Sequence, residues 1–221
     1  MKLLAMDSAL DGCSVAVLDG PRLLAHRRRE EARGQAEALM PLVQAAMTEA
    51  GLGFTALDAL AVTIGPGTFT GIRIALAAAR GMAVALRLPL AGVSTLEALA
   101  AGIPQELAEA NLRVAAIDAR RGEVYVQGFD AGLRPLDAAA LLPLDAAASR
   151  LPAGPVLLAG SGAPRLLALL GSGRARLAPG DGRIDARQVA CRALARPLPP
   201  AGTAPEPLYL RAPDAKLPGT A

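Results

Sequence analysis

The chain has 221 residues, which suits one large domain or two small ones. Apolar residues make up 52% of it and charged residues 19%, so the composition excludes a disordered chain. With three Phe, two Tyr and no Trp, the core must be built from Ala, Leu and Val, which lets helices and strands approach closely.

The first part of the chain predicts three strands joined by short turns, which is typical of an antiparallel meander. These strands cover 2–7, 13–19 and 22–28. Apolar residues at helical spacing then predict a helix over 35–50, kinked at Pro41. The remaining elements of this part are a strand over 58–64, a helix over 70–86, a strand over 90–94 and a helix from Thr95.

The same pattern starts again near residue 112. It predicts strands over 112–118 and 122–130, a weaker strand over 134–142, a helix over 143–150, a strand over 156–161, a helix over 163–170, a short strand over 175–178 and a helix over 184–196. Each half begins with an apolar strand that ends in Asp, so Asp7 corresponds to Asp118 and Gly12 to Gly122. Chance similarity is the alternative. A duplicated βββαβα unit is preferred, and it predicts a two-lobed α/β protein of the actin-like, ribonuclease-H-like (ASKHA) fold class.

This interpretation divides the chain into a first lobe over 1–105, a second lobe over 106–198 and a proline-rich extended tail over 199–221. The prolines exclude a long regular helix in the tail. An apolar cluster in the tail is the candidate anchor to the body, and it consists of Leu208, Tyr209 and Leu210.

The charged and apolar runs argue against secretion, membrane insertion and nucleic-acid binding as the main function. Asp7 interrupts the N-terminal apolar run, which a signal peptide does not allow. Arg80 and Arg87 interrupt the apolar stretch 74–90, so we expect no membrane span. The basic run at 26–34 also contains glutamates, which favours a solvated face over a nucleic-acid patch.

Cysteine and histidine usage leaves little chemistry for a catalytic or metal site. Cys13 and Cys191 are far apart and have no metal or redox spacing, which favours a reduced, cytoplasmic protein. The single histidine, His26, cannot form a zinc pair, and any Ser-His or Cys-His pair would have to use it. We therefore assign no catalytic residue and no metal ligand.

A glycine-rich loop, GPGTFTG at 65–71, joins a predicted strand to a predicted helix. Backbone N–H groups at such a helix start suit an anion, although the loop lacks the Lys-Ser of a P-loop. Asp7 and Ser8 end the first strand, where actin-like kinases keep a carboxylate near magnesium; a turn that caps a backbone N–H is the alternative. The candidate anion or nucleotide contacts are Asp7, Ser8, Gly65, Gly67, Thr68 and Gly71. Tight packing of strand on helix is the preferred interpretation of the glycines.

The two long helices of the first lobe, over 35–50 and 70–86, look apolar on more than one face. Core packing needs one face, so part of this surface is predicted to meet a second chain. The candidate interface residues are Leu39, Leu42, Val43, Ala46, Met47, Ala75, Ala78, Ala79, Met82 and Ala85. The alternative is that all of them are core.

Several motifs together resemble those of the TsaB (YeaZ) family. They are LLAMDSALDGCSVAV, ALMPLVQAAM, GPGTFTGIR, VSTLEALA, IDARRGEVY and a closing EPLYLR…KLPG, in order from residue 3 to about 219. This family supplies the dimerization subunit of the bacterial complex that installs threonylcarbamoyl on adenosine 37 of tRNA (t6A synthesis). The resemblance implies an actin-like fold and a subunit that is not an enzyme on its own.

The resemblance also implies partners. These are TsaD, the catalytic paralogue, docking through the helices over 35–50 and 70–86, the ATPase TsaE, and tRNA through the complex. Alone, such a subunit forms a homodimer through the same helices. No cofactor is expected to bind tightly to this chain alone, and ATP or ADP would lie at the interface with the partner.

Three positions separate this chain from its relatives. TsaD carries a His-x-x-x-His metal pair whose positions correspond here to Thr95 and Leu99, which cannot replace two imidazoles. Many family members have a histidine near the start of the first helix, where this chain has Gln35. Two rival functions stay open at this point: an actin-like ATP-dependent phosphotransferase that uses Asp7 and Asp118, and a peptidase that uses His26.

Overall fold

A computed structural model describes residues 1–31, 33–108, 112–151 and 153–211. The tail beyond Arg211, including the KLPG motif, lies outside the described residues. The first lobe contains β1 (Lys2–Asp7), β2 (Cys13–Asp19), β3 (Arg22–Arg29), α1 (Gln35–Glu49), β4 (Ala59–Gly65), α2 (Phe69–Leu86), β5 (Leu90–Ser94) and α3 (Thr95–Ala101). The second contains α4 (Gln105–Ala108), β6 (Leu112–Arg120), β7 (Glu123–Phe129), β8 (Ala140–Pro143), α5 (Leu144–Arg150), β9 (Val156–Ala159), α6 (Ala163–Leu170), β10 (Ala175–Leu177) and α7 (Ala186–Leu194).

The two sheets have the same topology, which confirms the predicted duplication. The first has the strand order β3-β2-β1-β4-β5, and the second has β8-β7-β6-β9-β10. In each sheet the first three strands of the lobe form an antiparallel meander, and the last two run parallel to its first strand. The chain therefore has the two-lobed actin-like fold.

Alternating side chains of the strands build separate cores on the two faces of the first sheet. Leu4 and Met6 of β1 face α1 and α2, whereas Leu3 and Ala5 face the other lobe. Between the sheets lie α3, which packs on both of them, and α7, which packs on the sheet of the first lobe. The resulting central layer is rich in alanine, so one continuous core joins the two lobes.

The predicted elements agree with the structure except at a few ends. The weak strand predicted over 134–142 is shorter and begins later, at Ala140, because the segment before it makes only a single bridge, between Phe129 and Pro135. α1 continues through Pro41 to Glu49. The boundary predicted between residues 105 and 106 lies at the start of α4.

Among the described residues, α2 alone is long and apolar enough to cross a membrane by length and composition. In the fold it lies on the first sheet, where its buried side chains include Ile72, Ala75 and Ala79. The core helix of a soluble protein passes the same test.

Candidate functional site

The outer side of α1 and α2 is an exposed helical surface of the first lobe. The two helices lie side by side on the sheet, and the face turned away from it is exposed. We call this surface the outer face; its exposed members are Glu37, Met40, Pro41, Gln44, Ala45 and Thr48 on α1 and Phe69, Thr70, Arg73, Ala77, Gly81, Val84 and Ala85 on α2. On α2 these residues recur every three or four positions, so they form one stripe along the helix.

The apolar members of the outer face are exposed to an unusual degree. Val84 is 79% exposed, Phe69 is 55% exposed and Met40 is 43% exposed. The α2 sequence contains no acidic residue, so the charges on its stripe are those of arginines. An apolar surface of this kind, with small residues at its centre, is suited to close contact with another protein.

The ten candidate interface residues divide between the core and the outer face. Six of them are buried in the core between the helices and the sheet: Leu39, Val43, Ala46, Met47, Ala75 and Ala79. We predicted that these six residues contact a second chain. They lie in the core instead, because the sheet already covers them. Leu42, Ala78 and Met82 are half-buried at the edge of the outer face, and Ala85 is exposed. The interface prediction is therefore narrowed to these four.

Aromatic side chains mark one end of the outer face. The ring of Phe69 stacks on that of Tyr209 with 5.6 Å between centroids. The Arg73 guanidinium lies 3.6 Å from the Phe69 centroid, and its Nε donates to the Tyr209 hydroxyl at 3.0 Å. Tyr209 itself is 42% exposed, so the tail extends the outer face with an aromatic ring.

The tail reaches this position through backbone contacts with the first lobe. The N–H of Leu208 donates to the Ile64 carbonyl at 2.7 Å, and Arg80 donates to the Pro205 carbonyl at 2.5 Å. A Cβ at Gly65 would lie 2.7 Å from the Leu208 carbonyl oxygen, so glycine permits this approach. With Leu210 packed against the central core, the three candidate anchors all contact the body.

The glycine-rich loop packs backbone against backbone on the turn after β1. A Cβ at Gly67 would lie 2.3 Å from the Ala9 carbonyl oxygen, and one at Gly71 would lie 2.1 Å from that of Ser8. The N–H of Thr68 donates to Ala9, and the Thr68 hydroxyl accepts from the N–H of Gly71 at 3.1 Å. Two N–H groups that could face an anion are thus bonded within the protein, which favours the packing interpretation.

Asp7 and Ser8 are buried next to this loop. The Asp7 carboxylate accepts from the Thr63 hydroxyl at 2.6 Å and from the N–H of Ala9 at 3.1 Å, and the Ser8 hydroxyl donates to the Gly71 carbonyl. Burial raises the pKa of Asp7 to about 6, although these two hydrogen bonds lower it. These contacts agree with the interpretation of Asp7 as a turn residue that caps a backbone N–H.

Gln35 has a structural contact in place of the family's histidine. Its side-chain amide donates to the carbonyls of Leu10 at 2.5 Å and Gly12 at 2.9 Å. It thereby ties the start of α1 to the turn between β1 and β2. Together with Thr68 on the facing loop, this turn fixes the starts of both helices of the outer face.

His26 lies beside Ser14 and Asp185, yet the arrangement differs from a hydrolase triad. Its Nε2 is 3.2 Å from the Asp185 carboxylate and 3.3 Å from the Ser14 hydroxyl. A triad needs one ring nitrogen for the serine and the other for the aspartate. Because the carboxylate only accepts, Nε2 carries the hydrogen and cannot take a proton from Ser14. Burial would raise the pKa of Asp185, but hydrogen bonds from His26 and Arg187 bring it below its usual range.

The two aspartates of the rival phosphotransferase hypothesis already have protein partners. Asp7 has the contacts given above, and Asp118 forms an ion pair with Arg165 at 3.0 Å. Within the ranges that the structure describes, no three His, Cys, Asp or Glu side chains are grouped closely enough to hold a metal ion. Thr95 and Leu99, where the family resemblance led us to look for a metal pair, are buried in the central core.

Comparisons with known proteins point to one family. The model of the TsaD family, tRNA N6-adenosine threonylcarbamoyltransferase, matches residues 29–166. The solved structure of YeaZ from Pseudomonas aeruginosa superposes with a TM-score of 0.79 at 33% identity, covering 95% of this chain and 99% of that one. The chain belongs to the TsaB (YeaZ) family.

A curated relative carries the TsaB name itself. The tRNA threonylcarbamoyladenosine biosynthesis protein TsaB of Escherichia coli is 41% identical over 125 residues, which is 57% of this chain and 53% of that protein. The match thus spans about half the length of this relative. An activator of 2-hydroxyisocaproyl-CoA dehydratase from Clostridium difficile, with a TM-score of 0.54 and 12% identity, shares the fold alone.

Proposed function

We propose that this chain is a non-catalytic partner subunit that binds TsaD and supports it in the threonylcarbamoylation of adenosine 37 in tRNA. The observation that carries the proposal is the outer face, an exposed apolar surface on two long helices in a chain whose relatives are named for t6A biosynthesis. Its partners are TsaD and the ATPase TsaE in the cytoplasm. In their absence the same face pairs two copies of the chain.

The arrangement of the first lobe supports a docking function. Six of the predicted residues fix the two helices on the sheet, and the tail holds the first turn of α2 through Tyr209. A rigid surface binds with a smaller loss of conformational entropy than a mobile one. The chain contributes a preformed face to the complex, and ATP or ADP belongs at the junction with the partner.

The lack of catalysis by the chain alone is part of the same proposal. The buried Asp7, the paired Asp118 and the unsuitable contacts of His26 each favour it over the phosphotransferase and the peptidase. Calorimetry with magnesium and ATP on the isolated chain distinguishes the proposed function from the phosphotransferase hypothesis. Micromolar binding together with turnover would favour the phosphotransferase.

Reconstitution tests the proposed function. The chain is purified together with TsaD and TsaE, and t6A formation on a tRNA transcript is followed with and without it. We expect a stable complex and t6A formation that depends on this chain. Equal t6A formation in its absence would contradict the proposal.

A further inference from the structure

The tail lies along one side of α2 and runs against the direction of that helix. Arg80 donates to the Pro205 carbonyl at 2.5 Å, and Arg73 donates from Nε to the Tyr209 hydroxyl at 3.0 Å. The two arginines are about two helical turns apart, so they share one side of α2. Tail residues 205–209 therefore form a third element beside α1 and α2, at the border of the outer face.

Two glycines of the first sheet make room for the tail. A Cβ at Gly92 in β5 would lie 2.7 Å from the Pro205 Cβ, and a Cβ at Gly65 in β4 would lie 2.7 Å from the Leu208 carbonyl oxygen. Real Cβ atoms essentially never make contacts as short as these. A side chain at either position would therefore displace the tail from the sheet.

The Arg80 guanidinium serves the tail rather than a charge partner. Across the part of the chain that the structure describes, no carboxylate pairs with Arg80, and its hydrogen bond is the one to Pro205. The side chain is half-buried, and its Nε is buried with no hydrogen-bond partner among the described residues. The contact with the tail is thus the polar contact that explains why this arginine is held where it is.

Contacts on both sides of Tyr209 hold its ring at the end of the outer face. Before it, the N–H of Leu208 donates to the Ile64 carbonyl at 2.7 Å. After it, Arg211 pairs with Glu123 of the β6–β7 hairpin at 2.7 Å. The ring is exposed although the chain is held on both sides of it, so it is ordered before a partner binds. Such ordering lowers the entropy cost of docking.

We propose that Arg80 is a positioning residue for the docking of TsaD. It holds the tail through Pro205, and the tail in turn places the Tyr209 ring at the end of the outer face. Arg80 acts through the tail and makes no contact with the partner itself. This inference rests on the proposed function, because the partner that docks is TsaD.

A double-mutant cycle with the full chain and TsaD tests this inference, using Arg80→Met and Tyr209→Ala singly and together. Methionine keeps an apolar stem and removes the donor. Because each substitution takes the Tyr209 ring from its place, each should weaken binding to TsaD roughly fivefold, and the double variant by about the same factor. Independent effects would multiply to about 25-fold. Arg80→Lys keeps a donor and should bind within about twofold of wild type.

Hydrogen exchange on the isolated chain shows whether Arg80 acts on the tail. Arg80→Met should speed the exchange of the Leu208 N–H about tenfold, whereas the amides of the buried strand β1 should exchange as in wild type. Gly92→Ala displaces Pro205 from the other side and should cause the same loss of affinity, which is a second test if Arg80→Met folds poorly. The matched control is Arg176→Met, which removes an exposed arginine of β10 and should change neither quantity.

The outcomes separate this inference from the proposed function. If Arg80→Met binds TsaD as tightly as wild type does, the inference is wrong and the proposed function stands. If the two substitutions multiply to about 25-fold, Arg80 contacts TsaD directly and the inference is also wrong. If wild type does not bind TsaD, the proposed function fails and this inference fails with it.

Discussion

The two lobes have the same strand order but differ in the helices that cover them. In the first lobe α1 has 15 residues and α2 has 18, whereas their counterparts in the second lobe, α5 and α6, have 7 and 8. A helix rises about 1.5 Å per residue, so the first pair is about twice as long as the second. The first pair therefore presents more outward-facing helical surface.

The proposed docking function draws on this difference between the lobes. The second lobe keeps short helices. The first lobe keeps long helices, and the outward stripe of α2 is largely apolar and free of acidic residues. We therefore assign docking to the first lobe. Matched substitutions in the two lobes test this assignment.

The largest effect is expected from a charge on the outer face. Val84→Arg places a guanidinium in the proposed contact with TsaD, where burial without a partner costs about 3–5 kcal/mol, at least 100-fold in affinity. Ala78→Arg, which lies earlier on α2, should also weaken binding to TsaD. The measurement is the affinity for TsaD by titration calorimetry.

A matched charge in the second lobe is the control. Leu169 of α6 is 54% exposed, so Leu169→Arg should leave the affinity for TsaD unchanged. Equal weakening by Val84→Arg and Leu169→Arg would remove the distinction between the lobes.

The next effect concerns the glycine that sets the start of α2. Gly71→Ala brings a Cβ to 2.1 Å from the Ser8 carbonyl oxygen, and we expect it to lower the free energy of unfolding by about 3 kcal/mol. Gly81→Ala in the same helix meets open space and should raise it by about 0.5–1 kcal/mol. Urea denaturation of both variants measures the difference, and similar values for the two would contradict the packing role of the loop.

Asp7 gives a smaller effect that depends on pH. Its folded pKa of about 6 lies above the ordinary 3.8, so the folded state holds the proton more tightly than the unfolded state. Stability is consequently lost as the pH rises from about 4 through 6. Asp7→Asn should abolish this loss and raise the free energy of unfolding by about 2 kcal/mol at pH 8.

The corresponding residue of the second lobe provides the comparison. Asp118→Asn removes an exposed ion pair with Arg165, and we expect a change of less than about 1 kcal/mol at pH 8. Unfolding curves between pH 4 and pH 8 distinguish the two variants. A wild-type stability that does not fall over this range would show that Asp7 is not the buried carboxyl described.

The smallest effect is expected at the tail. Tyr209→Ala removes the ring that stacks on Phe69 and the acceptor for Arg73, which should weaken binding to TsaD by about 1 kcal/mol, or roughly fivefold. Thermal unfolding of the variant should change by only a few degrees. A large loss of stability with unchanged affinity would mean that Tyr209 serves the fold and not the docking face.

Local patterns were enough to predict the fold. Period-two and period-3.6 spacing placed the strands and helices, and the repeated strand-Asp-turn-Gly start predicted two equivalent sheets, which the strand orders confirm. The bounds of β8 were predicted less well, because its sequence ALLP has too few alternating residues to define where the strand begins.

The candidate site was predicted less well, because periodicity reports an apolar face without saying which way it points. Leu39 and Val43 follow the strongest apolar pattern and therefore face the sheet. The outward stripe of Phe69, Ala77 and Val84 had the same spacing but was not assigned. Tyr209 reaches Phe69 across more than a hundred residues of chain, which no local pattern can predict.

The burial of a charged side chain could not be predicted from local sequence patterns either. Arginine is usually a surface residue, yet Arg113 is buried. Its guanidinium donates to the carbonyls of Ala100 at 2.9 Å and Ile103 at 2.7 Å, at the end of α3. Its place follows from the way α3 packs on β6, a contact between lobes. Such positions depend on the tertiary arrangement of the two units.

In the proposed complex, the outer face of α1 and α2 contacts TsaD. The most direct measurement places a photoreactive amino acid at position 84 and, in a matched protein, at position 169, and irradiates each with TsaD and TsaE. We expect a covalent product with TsaD from position 84 and none from position 169. Crosslinking from position 169 with none from position 84 would show that the outer face is not the contact.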